Sequence, residues 1–225
     1  MDALGLLLAA GGGRRLGNRP KALLPYRGRP MVEHALGVLR AGGCERIRLV
    51  LGAASAEVLR TAELGDAEVL VNVDWASGMG SSLRLGLTGV DAPGVLIGLV
   101  DTPGVTPEAV SRVLRSGAEL AAASYAGERG HPVYIGARYL AEAREGAVGD
   151  AGARALLRAH AADLHLVECG DVATPDDVDT PEQFAALRQG REELRASGAR
   201  VRQVTAEGSL HYQGRGELRD KPPTA

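Results

Sequence analysis

A glycine-rich, basic loop directly behind a short apolar run constrains the fold of this chain most. Residues 3–10 are continuously apolar, which is typical of a strand buried on both faces of a mainly parallel sheet. Residues 8–21, LAAGGGRRLGNRPK, then combine four glycines with Arg15 and Lys21. Glycine lets successive backbone N–H groups turn toward an anion, and the cations neutralise charge on it. The loop therefore predicts a polyphosphate site.

The next hundred residues repeat a pattern of strand, loop and helix. We predict strands over 47–51, 68–73 and 95–100, and helices after Pro30, over 55–64, from Leu83 and over 107–114. Such a repeat implies right-handed βαβ crossovers. The expected fold class is α/β, with a single doubly wound, mostly parallel sheet that carries helices on both faces.

The length and the end of the chain predict one main domain. A chain of 225 residues can bury one sizeable core. From Arg191 onward the apolar periodicity fades and charges of both signs mix. We therefore expect a domain over 1–190 and a C-terminal surface appendage or partly disordered tail over 191–225.

Composition argues against nucleic acid and membranes as partners. The net charge is −2 and only 3% of residues are aromatic, whereas nucleic-acid-binding domains usually carry a basic excess. The N-terminal apolar run is too short to cross a bilayer, and Asp2 precedes it in place of a cationic segment. Two cysteines without a CxxC motif are typical of free thiols in a reducing compartment. We expect a cytoplasmic location.

Two aspartates are candidate metal ligands. Asp101 follows the predicted strand 95–100, so it lies at the sheet edge that also carries the glycine loop. Mg²⁺ prefers a few carboxylates together with phosphate oxygens and water. The acidic loop TPDDVDTP should supply the second carboxylate, and Asp179 is the first choice because Thr-Pro follows it as it follows Asp101. Asp176 and Asp177 remain alternatives.

Further polar residues are candidates for binding the base and a second substrate. Asn72 and the segment SGMGSS with Ser81 and Ser82 form the loop after the third predicted strand, where short polar groups could read a base. The same glycine-rich segment could equally be a plain helix entry, and Trp75 is interpreted as local packing. His131 could orient or protonate a second substrate. Arg154, beside a glycine turn, suits a substrate phosphate.

Seven motifs occur in one order along residues 3–188. They are LAAGGGRRLG, PKALLPYRGRPMVEHAL, SGMGSSLRLGL, VDTPGVTPEAV, RGHPVYIG, GDAGARALL and DVDTPEQF. The ordered set resembles the MobA-like nucleotidyltransferases, and within that group it is most similar to the molybdenum cofactor cytidylyltransferases.

The resemblance implies a Rossmann-like nucleotidyltransferase fold and a reaction. A nucleoside monophosphate would pass from a nucleoside triphosphate to a phosphorylated acceptor such as molybdopterin, with Mg²⁺ as cofactor and release of pyrophosphate. The opening AAG favours CTP, and a molybdoenzyme is a possible transient partner. The implied catalytic residues are Arg15, Lys21 and Asp101, and the implied metal ligands are Asp101 and Asp179. The residues expected to bind the nucleotide are Leu8, Ala9, Ala10, Gly11, Gly13, Asn72, Gly80, Ser81 and Ser82.

Two other functions stay open. One is an NAD(P)H-dependent oxidoreductase of the nicotine blue oxidoreductase type, since a glycine loop after the first strand is common to both classes. The dinucleotide fingerprint G-x-G-x-x-G, however, needs glycine where Leu16 stands, and no acidic residue ends the strand 47–51. The other is a sugar-phosphate nucleotidyltransferase, which differs only in its acceptor pocket.

Overall fold

The apolar run in front of the glycine loop forms the central strand of the sheet. The computed structural model describes residues 2–17 and 19–186, and within them this strand, β1, spans Leu4–Ala9 with every residue buried. Strands run in parallel on both sides of it. A strand with parallel neighbours on both sides and helices on both faces has no solvated side, which is why the run contains no polar residue.

The described residues contain nine strands and six α-helices with both ends defined. The strands are β1 (Leu4–Ala9), β2 (Pro25–Tyr26), β3 (Arg29–Pro30), β4 (Arg46–Leu51), β5 (Glu68–Val71), β6 (Gly94–Leu99), β7 (Leu120–Tyr125), β8 (Glu128–Gly136) and β9 (His165–Glu168). The helices are α1 (Met31–Ala41), α2 (Ser55–Thr61), α3 (Met79–Leu87), α4 (Pro107–Arg115), α5 (Ala137–Glu145) and α6 (Arg154–Ala159). Short 3₁₀ turns span Arg14–Leu16, Lys21–Leu23 and Trp75–Ser77, and residues 181–186 are helical.

Seven strands form one sheet in the order β5-β4-β1-β6-β8-β7-β9. β5, β4, β1 and β6 are parallel, β8 runs antiparallel to β6 and β7, and β9 is parallel to β7. The mostly parallel, doubly wound sheet expected from the sequence is confirmed. The chain moves from β1 outward to β4 and β5 and then returns to place β6 on the other side of β1. This reversal opens a crevice at the carboxyl ends of β1 and β6, where ligands bind in such sheets.

Helices cover both faces of the sheet. Alternate side chains of β1 point to opposite faces. Leu6 lies against Gly86 of α3, whereas Leu7 and Leu39 of α1 lie near Gly98. On the α3 face, buried side chains from α5 and α6 extend one continuous apolar core.

Some local predictions were wrong. The predicted loop SGMGSS is largely helical, because α3 begins at Met79 and not at Leu83. Gly78, with φ +116°, makes the turn that precedes it. Helix α5 was not predicted. Thr106 caps α4 as its position suggests, accepting a hydrogen bond from the N–H of Ala109.

Two predictions extend beyond the described residues. The appendage expected over 191–225 lies wholly outside them, and so does the end of the domain expected over 1–190. Among residues 2–17 and 19–186, none of the helices combines the length and the apolar character needed to cross a bilayer.

Candidate functional site

A cleft of about 840 Å³ opens at the carboxyl ends of β1 and β6. One wall is the glycine loop after β1, and the opposite wall comes from β8 and from the loop before α6. Buried aliphatic side chains of the sheet and of α3 and α6 form the floor, among them Leu8, Leu83 and Leu157. The volume suits a nucleotide-sized ligand together with a second small molecule.

The backbone of the glycine loop lines this cleft at Gly11, Gly12 and Gly13. In the part of the chain that the structure describes, no acceptor takes the N–H groups of Gly11, Gly12 or Gly13. Gly13 adopts a left-handed conformation with φ +60°, and a Cβ atom there would lie 1.9 Å from the carbonyl oxygen of Arg19. Glycine is therefore required at position 13. Such a loop can donate several hydrogen bonds to a phosphate.

A charged cluster lies on the same side of the cleft. The Lys21 ammonium donates to Asp101 Oδ2 at 2.6 Å and also to Asp179 Oδ1. Arg15 Nη1 donates to Asp179 Oδ2 at 3.1 Å. The Lys21 side chain is 13% exposed, whereas Arg15 is 74% exposed. Lys21 is thus held between two carboxylates, whereas Arg15 has one carboxylate partner and is mostly exposed.

The ion pairs shift the acidities of this cluster. Burial favours loss of the Lys21 proton, but Asp101 and Asp179 outweigh burial and raise the pKa of Lys21 above its usual value of 10.5. Hydrogen bonding from Lys21 lowers the pKa of Asp179 below its usual value of 3.8. The cluster therefore contains a permanent cation and an ionised carboxylate near neutral pH.

The wall formed by β8 and the loop before α6 carries a neutral histidine and two arginines. His131 Nδ1 lies 3.5 Å from the carbonyl oxygen of Ile97, and the Tyr125 hydroxyl donates to the backbone carbonyl of His131. Burial lowers the pKa of His131 below 6.5, so the ring is neutral at pH 7. Arg129 and Arg154 also line the cleft. This wall can hold an anionic group and accept a hydrogen bond.

A second polar cluster reaches the edge of the cleft through Ser82, and its amide is fully paired within the protein. The Asn72 side-chain amide donates to Ser81 Oγ at 2.8 Å and to Ser82 Oγ at 2.9 Å, and its oxygen accepts from the N–H of Asp74 at 3.0 Å. All three side chains are buried. The Gly80 N–H donates to the carbonyl oxygen of Gly149. The cluster ties the end of β5 to α3.

The residues predicted for the site fall into two groups. Those that line the cleft are Leu8, Ala10, Gly11, Gly13, Arg15, Lys21, Ser82, Asp101, His131, Arg154 and Asp179. Ala9, Asn72, Gly80 and Ser81 are buried behind this lining. Of the three aspartates in the acidic loop, Asp179 is the one that contacts Lys21. Asp177 lines the cleft without that contact.

Sequence reasoning missed Arg129 and assigned Trp75 to local packing alone. Arg129 lies two residues before His131 on β8, and both line the cleft. The pairing of β7 with β8 is irregular between Arg129 and Val133, so strand alternation could not have predicted this. Trp75 lines the cleft and also packs against glycines of two loops. No spacing rule relates Trp75 to Gly12, because their contact joins loops from different strands.

A comparison with protein-family models identifies the domain. The MobA-like NTP transferase domain matches residues 5–164. The chain belongs to this family. The matched range contains the glycine loop, Lys21, Asp101 and both arginines of the opposite wall, and Asp179 lies beyond it.

Relatives of this MobA-like domain carry different names. The chain is 42% identical over 193 residues to the nicotine blue oxidoreductase of Paenarthrobacter nicotinovorans, a match that covers 81% of this chain and 95% of the relative. It is 32% identical over 128 residues to the bifunctional protein GlmU of Xanthobacter autotrophicus, covering 53% of this chain and 28% of the relative.

Solved structures share the MobA-like fold. A homologue of Mycobacterium tuberculosis Rv0371c from Mycobacterium sp. strain JC1 superposes with a TM-score of 0.75 at 32% identity, covering 85% of this chain and 98% of that chain. The structure of Rv0371c in complex with manganese superposes with a TM-score of 0.71 at 30% identity, covering 84% of this chain and 99% of that chain. A nucleotidyl transferase of Methanothermobacter thermautotroptrophicus superposes with a TM-score of 0.72 at 20% identity, covering 85% of this chain and 98% of that chain. At this identity the match supports the fold alone.

Proposed function

We propose that the protein transfers a nucleoside monophosphate from a nucleoside triphosphate to a phosphorylated acceptor and releases pyrophosphate. The observation that carries this proposal is the position of Lys21, held by Asp101 and Asp179 beside a loop whose glycine N–H groups have no acceptor among the described residues. Backbone donors and a fixed cation on one side of a cleft match the charge of a triphosphate. Membership of the MobA-like NTP transferase family supports the same reaction class.

The chemistry requires positioning and charge neutralisation without a covalent enzyme intermediate. An acceptor oxygen forms a bond to the α-phosphorus, the bond between that phosphorus and the bridging oxygen breaks, and pyrophosphate leaves with the electron pair. Gly11 and Gly13 would donate to phosphate oxygens, while Lys21 and Arg15 would neutralise the charge that develops on them. Arg154 and Arg129 would hold the anionic acceptor on the opposite wall.

Asp101 and Asp179 would hold Mg²⁺ when the nucleotide is bound. Among the described residues, no group of three or more His, Cys, Asp and Glu side chains forms a metal site of its own. Two carboxylates facing one cation are instead the donor set that Mg²⁺ shares with phosphate oxygens and water. Bound Mg²⁺ would neutralise phosphate charge. Manganese in the structure of Rv0371c, which is 30% identical, supports a divalent ion at this fold.

CTP and molybdopterin are the substrates that we propose, on the strength of the motifs. The opening LAAGGG favours CTP, and the ordered motifs resemble the molybdenum cofactor cytidylyltransferases. Ser82 lines the cleft, and Asn72, Gly80 and Ser81 would support it from below. The resemblance also suggests a molybdoenzyme as a transient partner, and the composition favours a cytoplasmic location. Two buried, unpaired cysteines, Cys44 and Cys169, agree with a reducing compartment.

The 42% identity to a nicotine blue oxidoreductase favours a second candidate, reduction of a heterocyclic substrate with NAD(P)H. The transferase uses the ionised Lys21–Asp101–Asp179 cluster beside the glycine loop, whereas a reductase needs a nicotinamide site. In this chain β4 ends in Leu51 and Gly52, which offer no carboxylate for a ribose hydroxyl. The transferase is therefore the proposal that the geometry supports best.

Calorimetric titration of the full chain with ATP, GTP, CTP, UTP and NADPH, each with Mg²⁺, tests the proposal. We expect CTP to bind and pyrophosphate to appear only when a molybdopterin-type acceptor is added. Binding of another nucleoside triphosphate would keep the reaction class and replace the base. Binding of NADPH without any triphosphate would overturn the transferase in favour of the reductase.

A further inference from the structure

We infer that Trp75 is a positioning residue for the glycine loop, through direct contact of its indole ring with Gly12. This inference rests on the proposed function, since it assigns a role to Trp75 in holding the loop that would bind the triphosphate. Trp75 is the single tryptophan of the chain, and it lines the cleft.

The indole ring reaches from one loop to another. A Cβ atom built on Gly52, after β4, would meet Trp75 Cβ at 2.5 Å. A Cβ atom built on Gly12, after β1, would meet the far ring atoms Cη2 and Cζ3 of Trp75 at 3.1 Å. The base of the side chain therefore lies over the loop after β4, and its outer ring lies over the glycine loop.

Two side chains crowd the position that a side chain at Gly12 would take. A Cβ atom there would meet the Trp75 ring at 3.1 Å and the Cβ of Ala53 at 3.4 Å. Gly11, by contrast, would meet nothing within 4 Å. The Ala53 N–H donates to the carbonyl oxygen of Ala10, which joins the same two loops by their backbones.

The contact with Trp75 matters because the loop has few other restraints. The N–H groups of Gly11, Gly12 and Gly13 donate to no acceptor within the described residues, so internal hydrogen bonds do not fix their direction. The carbonyl oxygen of Gly13 accepts a hydrogen bond from the N–H of Leu16, which restrains that end of the loop. The indole supplies the restraint at Gly12, and a donor array fixed in advance loses less entropy when an anion binds.

The test is a double-mutant cycle on the full chain, read as the dissociation constant for CTP with Mg²⁺ in folded protein. Trp75→Phe keeps the Cβ contact with Gly52 and removes the outer ring from Gly12. We expect Trp75→Phe to weaken binding by about tenfold, and Gly12→Ala to weaken it by a similar factor because its methyl group meets the ring. In Gly12→Ala/Trp75→Phe the methyl group gains room. The combined loss should then be at least about threefold smaller than the product of the single losses.

The matched cycle uses Gly11→Ala with Trp75→Phe. A methyl group at position 11 meets no neighbour, so the losses in this cycle should multiply. If the losses at Gly12 also multiply, or if Trp75→Phe binds CTP like the wild type, Trp75 does not position the loop. A purely structural role would lower the melting temperature of Trp75→Phe and leave the dissociation constant of its folded fraction unchanged.

Failure of the proposed function gives a different result, because the wild-type protein would then bind no nucleoside triphosphate. If CTP is not the substrate base, the triphosphate that binds in the panel replaces it in both cycles. Trp75→Leu, which keeps an apolar side chain without the outer ring, provides the same comparison should Trp75→Phe fail to fold.

Discussion

Two polar clusters at the carboxyl edge of the sheet differ in how completely their groups are paired. In the neutral cluster, both amide hydrogens and the oxygen of Asn72 have partners within the protein. In the charged cluster, Lys21 holds Asp101 and Asp179 at the cleft surface, where the carboxylates remain partly exposed. A saturated, buried cluster stabilises the fold, whereas an ionised cluster beside a cleft is available to a ligand.

The largest expected effect is on catalysis at the charged cluster. Lys21→Ala should lower kcat by roughly 10² or more, because a charge-stabilising group is lost, while the fold is kept. Steady-state pyrophosphate release and thermal melts measure both properties. Arg40→Ala is the control, since this variant removes a cation that pairs with Asp66 outside the cleft. If Lys21→Ala folds and releases pyrophosphate at the wild-type rate, the charged cluster has no role in catalysis.

The neutral cluster should show its largest effect in stability. Asn72→Ala should lower the free energy of unfolding by about 1–3 kcal/mol, because buried hydrogen bonds are lost. Ser81→Ala should be destabilising in the same direction. Ser77→Ala, an exposed serine of the same loop, is the matched control and should change stability by less than about 0.5 kcal/mol. Urea titration measures all three variants. Equal effects at Ser81 and Ser77 would contradict the structural role of the buried cluster.

The position of Lys21 between two carboxylates predicts a gain of metal binding when it is removed. The ammonium contacts the same oxygens that a divalent cation would use, so Lys21→Ala should bind Mn²⁺ without nucleotide about tenfold more tightly than the wild type, a change of about 1.4 kcal/mol. Lys21→Arg keeps the charge and serves as the control. Electron paramagnetic resonance of free Mn²⁺ measures the affinity. An unchanged or weaker affinity in Lys21→Ala would place the ion elsewhere.

The smallest expected effect is the pH dependence of the pair Lys21–Asp179. Hydrogen bonding lowers the pKa of Asp179 in the folded protein below its usual value of 3.8. The pair therefore stabilises the folded state at pH values above 3.8, and this contribution is lost as the pH falls through the lowered pKa. The stability difference between wild type and Asp179→Asn should be constant from pH 7 to about 5 and shrink toward pH 3. Denaturation curves of both proteins at each pH test this prediction. A stability difference that grows as the pH falls would contradict it.

The spacing of apolar residues along the sequence predicted most of the parallel strands, β1, β4, β5 and β6, and the helices between them. The apolar run of β1 and the cap of α4 at Thr106 depend on residues within a few positions, so they could be read directly. The start of α3 could not be predicted from local pattern. Met79 and Gly80 are helical where the N–H of Gly80 donates to the carbonyl oxygen of Gly149, a residue distant in sequence. Helix α5 has a low overall apolar content and packs through Tyr139 and Ala143, which only the sheet beside them reveals as a buried face.

The sequence alone determined the order of strands and loops, the chemistry of the glycine loop and the family resemblance, because these depend on residue type and short spacing. Only the tertiary structure decided which polar residues meet. Lys21 reaches Asp101 across 80 residues, because the reversal of strand order puts β6 beside β1. It reaches Asp179 across 158 residues, because the N–H of Val178 donates to the carbonyl oxygen of Asp101 and brings the acidic loop to the same place. The same folding turned Asn72 inward, since its neighbours in space, Ser81 and Ser82, supply the partners that a buried amide requires.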